Sequence, residues 1–159
     1  MHEIINTPQI HAREIIRRQP VEQLKSFCRG EMSAVDTYHR AMAVTKQVWV
    51  LDELRNNLMV HEEHVHLLKQ RIIDLDGNPP ESSGPWGAFA NMMEGVAAAI
   101  SENAALAILE EGERHGLADY KSDRSNLDYE SLRLIEDRII PQQTQTHYSL
   151  HEIVRALTA

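Results

Sequence analysis

Apolar side chains return every three or four residues through four long stretches of this 159-residue chain, and little interrupts them. Only seven Gly and six Pro are present, and they cluster. From Val21 to about Thr45 the stripe runs Leu24, Phe27/Cys28, Ala34/Val35, Tyr38 and Ala41/Met42, with Glu31 in the gap it leaves. From Val48 to Asp76 it runs Leu54, Leu58, His61, Val65, Leu68, Ile72 and Leu75, so His61 sits in the seam. A third stretch carries Leu106, Leu109, Glu113, Leu117 and Tyr120, and a fourth carries Leu132, Ile135, Ile139, Gln143, His147, Leu150 and Val154. GNPPESSGP and KSDRSNLD break the pattern, the second ending in a helix N-cap candidate, Asp128. No stretch alternates as a strand would. The fold class expected is all-α, with helices at 20–45, 48–76, 101–121 and 129–157 packed as a four-helix bundle. Pro8 and Pro20 set off a short N-terminal helix, HAREIIRRQ, and Pro141 predicts a kink one turn before His147. Residues 77–100 are long enough to form a crossover, which would leave the second and third helices parallel.

The length suits a single domain, 1–159, that can bury a core without staples. Sixteen Lys and Arg against twenty-four Asp and Glu leave a net charge of −8, which argues against nucleic acid as a partner. Cys28 is the only cysteine, so no internal disulfide forms. No apolar run reaches the roughly 20 residues of a membrane span. The N-terminal MHEIINTPQI lacks the pattern of a signal peptide, and a cytoplasmic protein is expected. Ile15 and Ile16 fall outside the four-helix pattern and need cover, which predicts a homodimer or larger, with docking on its own bundle as the alternative.

The two halves repeat one arrangement of polar residues. EMSAVDTY places Glu31 seven residues before Tyr38, and ERHGLADY places Glu113 seven residues before Tyr120. His64 follows Glu31 by 33 residues and His147 follows Glu113 by 34. The midpoints of those pairs fall at or near the expected helix turns, so each hairpin brings one carboxylate and one imidazole to mid-height. Two buried carboxylates facing each other are costly unless a cation lies between them. Bundle di-metal sites use single Glu residues on two helices and Glu-x-x-His on the others, and carboxylate with imidazole suits Fe, Mn or Zn.

These motifs, together with HVHLLKQRIIDLDGNP at the end of the second helix, resemble the ferritin-like superfamily of bacterioferritins and rubrerythrins. ILEEGERHGLADY and IIPQQTQTHYSL are similar to small uncharacterised bacterial proteins with a ferritin-like fold. The resemblance covers about residues 20–157 and implies Glu31 and Glu113 as first- and third-helix metal ligands and His147 as the fourth-helix His. Counting back from Gly77 and Pro79 makes His64 the second-helix His and puts His61 at the family's Glu position. The motif spacing alone offers another frame, Glu63 and His66. Thr144 stands where the fourth helix of the family has Glu. Tyr38 and Tyr120 are expected to pack beside the ligands.

Two functions from different classes follow. One is a metal-binding ferritin-like protein, possible Fe(II) chemistry with peroxide or O₂ included, in iron handling or oxidative-stress defence. Its metal site is mono- or dinuclear iron, or Zn or Mn. The other is a metal-free bundle acting as a binding or structural module, motivated by His61 and Thr144 in place of carboxylates. No phosphate loop, H-E-x-x-H or nucleophile motif is present to suggest another enzyme.

Overall fold

A computed structural model describes the backbone of residues 7–84 and 101–158, and the side chains from residue 18 onward within those ranges. The chain is all-helical, with no strand among the described residues. Helix α1 spans Thr7–Val44, α2 Val48–Asp74 and α3 Glu102–Ser122. The last segment is one rod in three parts: α4 (Tyr129–Leu134), a π-helical turn (Ile135–Ile139) and α5 (Ile140–Thr158). The four expected helices are therefore present, with ends within a few residues of the expected ones, apart from the start of the first.

That start differs because the chain does not break at Pro20, which lies inside α1. Proline's fixed φ is itself helical, so Pro20 removes one hydrogen bond without ending the helix. Ile15 and Ile16, and most of the expected crossover (residues 85–100), lie outside the described side chains. Pro141 acts as a perturbation one turn upstream. The Ile140 N–H bonds to the Ile135 carbonyl, five residues back, so the ladder has already stepped out of α register when proline arrives.

Short links set the neighbours. Three residues join α1 to α2, and residues 123–128 join α3 to α4, where the Asp128 side chain accepts the Ser131 N–H as an N-cap. Helix α1 packs on α2 and α3, and α5 packs on α3 and α2. The interior has two apolar clusters. One is built around Tyr38, Leu54, Leu106 and Leu150, the other around Leu24, Phe27, Ile72, Tyr120 and Ile135. Cys28 is buried in the second, where burial pushes its thiol up to about 11. Between the clusters lies a polar layer of buried Glu, His, Gln and Thr. Among the described residues no helix is long and apolar enough to cross a membrane.

Candidate metal centre

The polar layer is made by seam positions that carry the wrong polarity for a core. On α1 the buried face steps through Leu24, Cys28, Glu31 and Tyr38, and on α2 through Leu54, Leu58, His61, His64 and Leu68. On α3 it steps through Leu106, Leu109, Glu113, Leu117 and Tyr120. Glu31 is 4% exposed, His61 1%, His64 0% and Glu113 3%. These side chains are almost wholly buried, so their polarity must be satisfied inside.

It is satisfied completely at the carboxylates. His61 lies between them, with Nδ1 2.7 Å from Glu31 Oε2 and Nε2 2.8 Å from Glu113 Oε1. Both partners only accept, so both ring nitrogens carry protons and His61 is an imidazolium. Burial pulls its pKa down, but Glu113 and Glu31 more than offset that and push it up to about 10. Burial also works to raise Glu31, and the His61 charge with hydrogen bonds from His61 and His64 instead holds its carboxyl below the usual range. His64 Nδ1 lies 3.2 Å from Glu31 Oε1, and its Nε2 lies 3.1 Å from Gln142 Oε1. Gln143 Nε2 and the Thr146 hydroxyl donate to Glu113 Oε2 at 2.7 and 2.9 Å.

The two tyrosines cross-connect the halves. Tyr120 of α3 donates its hydroxyl to Glu31 Oε1 of α1 at 2.5 Å, and Tyr38 of α1 donates to Glu113 Oε1 of α3. Burial, then the carboxylate each one faces, raises both phenols well above their ordinary range, so the protons stay on the tyrosines. As α1 advances seven residues from Glu31 to Tyr38, α3 retreats seven from Tyr120 to Glu113. The repeated Glu-to-Tyr spacing is thus one reciprocal clasp between antiparallel helices.

Of the sequence-derived candidates, Glu31, His61, His64, Glu113, Tyr38 and Tyr120 come together. Glu63 and His66, the other frame, do not: His66 is exposed, and Glu63 pairs with Arg138 and Gln142 near the surface. His147 is half-buried, with an Nδ1 that has no hydrogen-bond partner, and no hydrogen bond of the centre involves it. Gln143 and Thr146 face Glu113 in its stead. Thr144 is exposed and bonds back to the Ile140 carbonyl at 2.7 Å. Sequence reasoning missed the roles of Gln142, Gln143 and Thr146. The signal for Gln143 was its place on the apolar stripe, four residues after Ile139.

One ligand atom from each of Glu31, His61 and His64 can be chosen so that all three lie within 4.8 Å of one another. The two imidazoles meet opposite oxygens of the one carboxylate, His61 at Oε2 (2.7 Å) and His64 at Oε1 (3.2 Å), so a small shift of the carboxylate would aim all three groups at one ion. His64 is also held as metal-bound histidines are, with its second nitrogen against an amide oxygen. The donor set therefore fits a divalent transition-metal ion.

No curated protein and no solved structure matches the chain. Residues 19–124 match the family described as Domain of unknown function (DUF2383), a span that runs from α1 through α3 and holds Glu31, His61, His64 and Glu113. By that match over most of its length, the chain belongs to the DUF2383 family.

Proposed function

We propose that this protein is a single-domain, ferritin-like four-helix bundle whose core binds one transition-metal ion, iron before zinc or manganese. Glu31, His61 and His64 form the ligand set, and Glu113, on the far nitrogen of the His61 ring, orients that ring. The observation that carries this reading is that ligand atoms of Glu31, His61 and His64, all buried, lie within 4.8 Å of one another. A dication balances two carboxylates once the imidazoles are neutral, as ligation requires. Bound iron would supply one-electron chemistry toward peroxide or O₂, consistent with iron handling or oxidative-stress defence. Thr144 faces outward and His61 stands at a family Glu position, so one ion suits the set better than a pair. The antiparallel clasp of α1 on α3, with the short α1–α2 link, supports parallel α2 and α3 joined by a crossover through 77–100.

A second reading has its own support. Every carboxylate oxygen of Glu31 and Glu113 already has a donor, and His61 supplies the countercharge. Such a network stands without metal, as a binding or structural module requires. Thermal unfolding of chelator-treated protein with and without Fe(II), Mn(II) or Zn(II) separates the two. At about 100-fold excess over Kd a metal specific to the folded state adds about 2.7 kcal/mol, and Glu31→Gln removes that gain. A wild-type melting curve that no metal shifts, above a variant curve lowered equally with and without metal, would favour the metal-free reading.

A further inference from the structure

A cavity of about 90 Å³ lies between α1 and α3. Its inner wall includes Glu31, His61, Glu113 and Gln143, and its lining also includes His115, Asp119 and Asp123. His115 and Asp123 are exposed and Asp119 is half-buried, so the cavity leads from an acidic surface to the buried centre. It exists because the facing helices are cut small there: Gly30 and Ala34 on α1, Gly112 and Gly116 on α3. A Cβ added at Gly30 would meet no atom within 4 Å.

A second observation is an unmet acceptor in this space. Gln143 is 2% exposed and lines the cavity, its Nε2 is spent on Glu113, and its Oε1 has no partner. A buried acceptor left unmet is costly, so it marks a point where a donor is received. Among the described residues, the side of the centre facing the last helix is covered. There Gln142 covers His64, and the Arg138 guanidinium sits on Glu63, a positive charge in the way of a cation.

We propose that the α1–α3 cleft is the entry port of the centre for a hydrated divalent cation. Asp119 and Asp123 draw the cation to the mouth, and Gln143 accepts a hydrogen bond from its water before Glu31, His61 and His64 take over. This inference rests on the metal-binding reading above.

Stopped-flow mixing of chelator-stripped protein with cobalt(II) chloride, followed by the visible absorption of bound cobalt, tests it, with equilibrium dialysis for affinity. Gly30→Leu adds bulk to the cleft while leaving every ligand in place in the sequence, and slows uptake and release alike by roughly tenfold, leaving affinity within about twofold. Asp119→Asn with Asp123→Asn slows uptake by about tenfold at low salt, a difference that fades at high salt. Unchanged uptake rates in both variants, with normal binding by the wild type, would overturn the port and leave the centre standing. No cobalt uptake by the wild type would overturn both. Should Gly30→Leu fail to fold, the surface Asp pair decides.

Discussion

His61 shares its two protons with Glu31 and Glu113, and that single ring turns a repulsive pair of buried carboxylates into a neutralised one. From sequence, two facing Glu look like a repulsion that Gln would relieve. The structure reverses the expectation for metal-free protein. Glu31→Gln with Glu113→Gln strands a buried imidazolium, and chemical denaturation should show a loss of about 3 kcal/mol. The same pairing sets the pH dependence. His61, raised to about 10 from an ordinary 6.5, contributes stability that is complete below 6.5 and fades as pH climbs through 10. Glu31, depressed from 4.5, contributes stability that is complete above 4.5 and is lost in acid. Denaturation of chelator-treated protein should therefore show a plateau between 4.5 and 6.5 and a decline from 6.5 toward 10. A rise over that upper range would contradict the assigned imidazolium. Metal must displace these protons, so apparent metal affinity should climb about tenfold per pH unit for each proton released. Calorimetry in buffers of different ionisation enthalpy counts them.

The helices differ in how openly their sequences announce them. Three- and four-residue apolar steps located all four, because each buries one stripe, and Asp128 marked the start of the last. The inward frame of α2 was legible for the same reason, since His61 falls on the Leu54–Leu58–Leu68 seam. In the last helix the stripe was right at Ile135, Ile139, Gln143 and Leu150, but not at His147. Ser131, Ile135, Ile139 and Gln143 are buried at steps of four, which in a plain α-helix drift about 40° each. The π turn at Ile135–Ile139 absorbs that drift and puts Gln143 and Thr146, not His147, toward Glu113. Periodicity assumes a uniform 3.6-residue turn and cannot show where it changes. Two glycines test the helix account in opposite directions. Gly30 lies mid-helix with open space beside it, so Gly30→Ala should stabilise by about 0.5–1 kcal/mol. Gly77 follows α2, where Asp76 turns with φ 59° and the Gly77 N–H bonds to the Ile72 carbonyl at 2.8 Å. A Cβ there would come 2.7 Å from Val21 Cγ1, and Gly77→Ala should destabilise by about 1–3 kcal/mol in urea titration.

Across the whole molecule, apolar cluster, polar layer and apolar cluster follow one another, with Tyr38 in one cluster and Tyr120 in the other. Each tyrosine anchors its ring in apolar packing and lends its hydroxyl to the layer, so a change at the centre is felt in both clusters. A homodimer remains our proposal for the assembly, and sedimentation giving a single 18.2 kDa species would refute it. The buried layer is, in our proposal, a metal centre. Elemental analysis of protein purified without chelators, reloaded with Fe(II) under anaerobic conditions and desalted, tests it most directly, beside the Glu31→Gln/Glu113→Gln variant. About one iron per wild-type chain and none on the folded variant is the expected result. Wild type and variant retaining the same trace amount would contradict it.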